Sequence, residues 1–303
     1  MTAATRTAPA NKGFGLLCLA SYLLSLSYGS TFLLSLLVST RGGNEQDAGR
    51  IISLAMLSTI VAVLGSGHLA DRLGSARAIA LSALCLVAAC LGFALMAGTG
   101  LGLMLCGLIL GLGWGAFYTL GPILVAERVE PTRRTHCFAL LSGSMMSGIG
   151  SGPLAGKLAS FFHLPVQTAF FTAAAAAVLG LMIFNHLARQ PRQAASPVGI
   201  SRRASAQVLG SPARWPILMV GLGGAIFGGL GSFQTSYAAA RGLDYSLFFI
   251  GFMSAAIGCR LLVAGWVVKR DACGASCLLC AFTVLAVLAL GWWVQDNLGY
   301  LLA

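Results

Sequence analysis

Uncharged apolar runs of roughly twenty residues or more recur along this chain, each long enough to cross ~30 Å of hydrocarbon as a helix rising 1.5 Å per residue. The stretch from Leu101 to Val125 holds no charged residue at all. Of 303 residues, 57% are hydrophobic and 9% charged, whereas a soluble domain carries about a quarter of its residues as charges. A water-soluble fold could not bury so much apolar surface. A membrane β-barrel would need apolar and polar residues alternating in ~10-residue strands, and Leu101 to Val125 shows no such alternation. The expected fold class is therefore all-α and integral to the membrane.

Hydropathy predicts spans at about 13–39, 51–70, 78–98, 101–126, 136–161, 167–187, 215–239, 245–268 and 272–294, with a stub from about Leu298. The first run follows a polar head with Arg6 and Lys12 but is too long for a signal peptide and lacks a cleavage site, so it is expected to remain a helix. Between Ala188 and Trp215 the chain is hydrophilic and aperiodic, which reads as a linker. The expected organisation is a six-helix bundle over 1–188, a linker over 189–214, and a partial second bundle over 215–303 with three helices and the start of a fourth.

The net charge of +11 does not gather into a patch or stripe, which argues against a nucleic-acid partner. It follows topology instead. Alternate loops hold fourteen basic residues on one side, among them Arg72, Arg128, Arg133 and Arg189, and three on the other, Arg41, Arg50 and Arg241. The positive-inside rule then puts the N-terminus and the linker in the cytoplasm, with the chain in the cytoplasmic membrane. Lys157 and Arg260 remain inside predicted spans. The halves echo one another, since Gly29-Ser30 recurs as Gly231-Ser232 and Gly67 as Gly265, at offsets of 202 and 198 residues.

The most specific local pattern is Gly67-His68-Leu69-Ala70-Asp71-Arg72-Leu73-Gly74, in the tight loop between spans two and three. It resembles the G-x-L-a-D-R-x-G loop of the major facilitator superfamily, with Arg77 standing in for the basic cluster that follows there. Glycines let two helices turn within a few residues, and an Asp at a helix end can pair with a neighbouring Arg or helix dipole, making a conformational latch of Gly67, Asp71, Arg72, Gly74 and Arg77. A second pattern, Gly148, Gly152, Pro153 and Gly156 in span five, resembles the family's exporter motif and reads as a helix-packing face, with Lys157 replacing its last Gly. The loop Glu127-Arg128-Val129-Glu130-Pro131-Thr132-Arg133-Arg134 is similar to the family's loop between spans four and five. Gly107 stands where proton-coupled exporters of the family carry an Arg, and no Asp or Glu lies deep in any span.

The resemblance implies a secondary transporter of a small solute working by alternating access, with export somewhat favoured, no cofactor, no metal and no catalytic residue. The alternative is a non-transporting remnant or small-molecule sensor, because Leu301-Leu302-Ala303 ends within what would be span ten.

In span one, Ser21, Ser25, Tyr28, Phe32 and Ser35 make a polar and aromatic stripe, suited either to helix packing or to lining a wet cavity. Trp114 and Tyr118 lie at similar depth in span four. Phe227, Gln234 and Tyr237 share a face of span seven. Arg260, about 13 Å inside its boundary at 1.5 Å per residue, is an intramembrane cation without a buried acid and favours an anionic solute. The expected substrate cavity is Tyr28, Phe32, Trp114, Tyr118, Phe227, Gln234, Tyr237 and Arg260. Lys157 lies near the outer surface, where snorkelling is easy. Gly221 to Gly231 lacks the preceding strand of a dinucleotide loop and reads as helix packing. The row Ser144, Ser147, Ser151, with His163 distant, lacks a demonstrable base for nucleophilic catalysis. Cys273, Cys277 and Cys280 share a face but have no His or carboxylate to complete a metal site.

Overall fold

The computed structural model describes residues 10–189, 210–212, 214–259 and 272–302. Among these residues all regular secondary structure is helical. The helices are α1 (Ala10–Gly29), continued through a 3-10 turn at Ser30–Leu33 into α2 (Leu34–Thr40), then α3 (Glu45–Leu73), α4 (Ser75–Leu95), α5 (Leu101–Arg128), α6 (Arg134–Phe161) and α7 (Gln167–Ala188). After the gap come α8 (Arg214–Arg241), α9 (Tyr245–Gly258), α10 (Ala272–Trp292) and a short α11 (Asn297–Leu302). Five of these segments are apolar and long enough to cross a membrane: Gly13–Thr40, Glu45–Leu73, Ser75–Leu95, Leu101–Arg128 and Gln167–Ala188. Helices α6 and α8 have 28 residues each, about 42 Å at the helical rise, but Gly and Ser dilute their apolar character. Arg260 and most of the linker lie outside the described residues.

The connections alternate between two ends. The near end holds the start of α1, the α3–α4 and α5–α6 joints and the close of α7; the far end holds the turns after α2, α4, α6, α8 and α10. At the near end, α3 passes into α4 through Gly74 alone, at φ 84° and ψ 147°, a left-handed turn that a side chain would strain. Its amide bonds back to the Ala70 carbonyl at 2.7 Å. Ser75, the next residue, donates to Glu127 Oε1 at 2.5 Å, tying the start of α4 to the end of α5.

The far end contains one turn made twice. Arg41-Gly42-Gly43-Asn44 and Arg241-Gly242-Leu243-Asp244 stand 200 residues apart (241 − 41). Gly42 has φ 77° and Gly242 φ 67°. The Gly43 amide bonds to Val38 O at 3.0 Å and the Leu243 amide to Ala238 O at 2.8 Å, closing both helix C-termini in the same way. Each Arg then reaches the end of another helix. Arg41 Nη2 donates to Phe93 O at 2.7 Å, in the last turn of α4; Arg241 donates to Gly291 O at 3.1 Å and Val294 O at 2.8 Å, at the end of α10. A cation on the free carbonyls of a helix C-terminus also meets its negative dipole end.

The core lies among α1–α7. Phe93, Phe117, Phe170 and Phe184 are fully buried there, with Leu24, Leu33 and Leu37. Phe249 of α9 joins the same cluster, while Ala238, Leu290, Val294 and Tyr300 form a small second one.

Candidate functional site

Helix α6 approaches the bend in α1 backbone to backbone. A side-chain carbon on Gly148 would strike the Tyr22 carbonyl; on Gly152 it would strike the Gly29–Ser30 backbone, and on Gly29 the carbonyl of Ile149. Gly156 faces the Leu33 side chain, and Pro153 is buried within α6. Small residues let the two backbones touch, and hydroxyls stitch the seam. Ser144 donates to Cys18 O at 2.5 Å and Tyr22 to Ser151 Oγ at 3.1 Å. The 3-10 turn falls at this contact, with Thr31 Oγ1 bonded back to Tyr28 O at 2.6 Å, so the bend has an identifiable cause.

That bend carries the aromatic stripe. Tyr28 stacks on Trp114 with centroids 4.0 Å apart and planes at 8°. Trp114 leads on to Tyr118 at 5.6 Å, and Tyr118 is half exposed. Phe32 lies 5.9 Å from Phe227 and 5.5 Å from Phe249, so it joins the first seven helices to α8 and α9. The structure thus brings Tyr28, Phe32, Trp114, Tyr118 and Phe227 into one chain of rings. Gln234 and Tyr237 sit elsewhere: Tyr300 of α11 donates to Gln234 Oε1 at 2.5 Å, and Tyr237 donates to the Leu290 carbonyl. Ser21 and Ser25 are fully buried, their hydroxyls without a hydrogen-bond partner among the described residues, and Ser35 donates to Ser232 O at 2.8 Å. Gly107 faces the Ile51 carbonyl.

At the near end, Asp71, Arg72 and Arg77 are exposed, and Asp71 has no ion pair among the described residues. Arg128 caps α7 through Leu187 O at 2.6 Å.

At the far end, Lys157 Nζ lies 2.7 Å from Asp244 Oδ2, a pair that sequence reading missed because its members are 87 residues apart (244 − 157). Asp244 is also the N-cap of α9, its Oδ1 accepting from the Ser246 amide at 3.0 Å and hydroxyl at 2.7 Å. Partial burial works to raise the Asp244 carboxyl, but the hydrogen bonds from Lys157 and Ser246 outweigh it, leaving the group below its ordinary value. Beside this end an open depression of about 740 Å³ is lined by Glu45, Gln46, Arg50 and Phe233, among others. Among the described residues no three His, Cys, Asp or Glu side chains gather as a metal site.

A sequence profile of the Major Facilitator Superfamily matches residues 14–303. The chain belongs to this superfamily. Solved major facilitator structures agree with the fold. A bacterial homologue of the human lysosomal transporter Spinster, in an inward-facing and unoccupied conformation, superposes with a TM-score of 0.63 at 17% identity, covering 88% of this chain and 64% of that one. A peptide transporter in complex with sulfate gives 0.55 at 20% identity, covering 79% of this chain and 51% of that one. The chain thus spans about half the length of that peptide transporter. A search of curated proteins gives no match. The chain is a multi-pass α-helical membrane protein of a transporter family.

Proposed function

We propose that the protein moves a small solute across the membrane by alternating access, with α1–α7 and the helices from α8 onward as the two rocking bodies. One observation carries this reading. The two bodies meet through Phe32–Phe227, Phe32–Phe249, Ser35–Ser232 and Lys157–Asp244, all from the middle of the molecule to its far end. On the near-end half of α8, Trp215, Leu218, Met219, Leu222 and Ile226 are exposed instead. This is the sense of opening in which the Spinster homologue was solved.

The near end is the cytoplasmic side in this reading, because the basic residues concentrate there, and the membrane is the cytoplasmic one. The solute pathway runs past Tyr118, Trp114 and Tyr28. An anionic solute suits Arg260, and export suits the glycine face of α6. With the near end open, the exposed Asp71 loop is a latch in its released state.

Transport by purified protein in proteoliposomes tests the reading, with acidic and neutral labelled solutes under imposed gradients. Solute flux above that of empty liposomes is expected, and acidic solutes should lose affinity in Arg260→Gln. Folded protein that passes no solute in either direction would leave the sensor alternative standing.

A further inference from the structure

Lys157 stands where the resembling exporter motif has glycine, and it does not snorkel: it reaches Asp244 of the other body. Asp244 is held from three sides at once. Its Oδ1 caps α9 through Ser246, its Oδ2 takes Lys157 of α6, and its amide donates to Asn297 Oδ1 at 3.0 Å, at the first residue of α11. The cap does not need the charge. The matching residue of the first repeat is Asn44, which caps α3 by accepting from the Asp47 amide at 3.0 Å, and Asn and Asp are near-equal N-caps. The carboxylate at 244 is therefore surplus to its turn, and its second oxygen meets the one cation that α6 carries at this end.

We propose that Lys157 and Asp244 are an ion-pair clasp that holds the far end shut while the near end is open, and that transport requires this clasp to break in each cycle. The proposal rests on the alternating-access reading and adds to it the element that sets the balance between the two states. Position along the lever supports it. Lys157 lies near the far-end close of α6, next to Gly156 and five residues beyond Gly152, where α6 packs against the α1 bend. Seven residues nearer the middle, Met253 of α9 packs on Gly150. The same pair of helices is thus joined by apolar packing in the middle and by charge at the rim. A partly exposed pair can hold only a modest bias, and a modest bias suits a gate that must open on every turnover.

Gly49 reports on opening. It faces Phe233 of the other body with room for a side-chain carbon at 3.8 Å, so Gly49→Cys fits without a clash. The experiment measures its reaction rate with N-ethylmaleimide in proteoliposomes, read peptide by peptide by mass spectrometry, so that exposed native Cys259, Cys277 and Cys280 do not contribute. Lys157→Gln and Asp244→Asn should each raise the rate about two- to five-fold. The double variant should go no further than either single one, because both remove the same contact. Lys157→Arg should keep the far end shut. Gly231→Trp, which drives an indole against Phe32, is the control for opening. Labelling that rises in this control but in neither single variant overturns the clasp alone. Labelling that fails to rise even in the control overturns the two-body reading. Single effects that multiply in the double variant also overturn the clasp, since the residues would then act separately.

Discussion

The turn after α2 and the turn after α8 share a glycine of positive φ, the same amide-to-carbonyl closure, an Arg that caps a distant helix, and an N-cap for the next helix. They differ in where their last residue looks. Asn44 keeps its bonds within α3, pairing reciprocally with Asp47, whereas Asp244 caps α9 and crosses to the other body. A repeated turn thus separates what the fold requires from what has been added to it. Glycine, Arg and cap occur in both copies and belong to the architecture. The cross-body charge occurs in one copy, and it is the part that we propose works as a clasp.

The largest test of this comparison uses the glycines that precede each turn. Gly29 and Gly231 correspond at an offset of 202 residues, but a methyl on Gly29 meets the Ile149 backbone while one on Gly231 meets the edge of the Phe32 ring at 3.0 Å. Backbone cannot yield as a ring can. Gly29→Ala should cost about 3 kcal/mol or more, and Gly231→Ala should stay within about 1 kcal/mol, helped by the better helix propensity of Ala. Melting temperatures of the two variants in one detergent check this. Equal losses would mean that the α1–α6 seam tolerates a side chain at Gly29 in spite of its backbone contact.

Next come the two capping arginines. Arg41 is half-buried and bonds the Phe93 and Ala94 carbonyls, whereas Arg241 is exposed. Arg41→Ala should lose about 1.5–3 kcal/mol, the range for a hydrogen bond to a charged group. For Arg241→Ala solvent screening reduces the loss to about 1 kcal/mol or less. If Arg241→Ala proves the more damaging by thermal unfolding, the second turn does more structural work than its exposure indicates.

Much of this was legible in the sequence, for physical reasons. Spans show because each must be apolar over its whole length, and the Asp71 loop shows because a one-residue joint leaves few choices around Gly74. The paired turns are also legible, as R-G-x-N/D at a spacing of 200, but they are short and lie outside the spans, where the Gly-Ser echoes are more conspicuous. The cavity residues divided. Tyr28 meets Trp114 because they lie at similar depth on α1 and α5, and Tyr118 follows Trp114 one turn along the same helix. Gln234 and Tyr237 share a helix face with Phe227, yet their partners come from Tyr300 and Leu290, more than fifty residues later. No one-dimensional pattern predicts those. That Lys157 pairs with Asp244 instead of snorkelling is hidden for the same reason: depth along a helix is legible in the sequence, and the neighbour across a body interface is not.

The smallest expected effect sharpens the comparison most. Asn44→Asp and Asp244→Asn exchange the two caps, and because either residue accepts from an N-terminal amide equally well, neither should change stability by more than about 0.5 kcal/mol. For Asn44→Asp the added charge lies near Glu45 and Asp47, which is unfavourable, and at a helix N-terminus, which is favourable. Asp244→Asn keeps an acceptor for Ser246 and gives up only the attraction to Lys157. Melting temperatures should therefore match the parent in both variants, while far-end labelling at position 49 should rise only in the second. A drop in melting temperature for Asp244→Asn comparable to Arg41→Ala would turn the clasp into a structural brace. A rise in labelling for Asn44→Asp as large as that for Asp244→Asn would show that the far end responds to any change of charge there, and the distinction between the two turns would be lost.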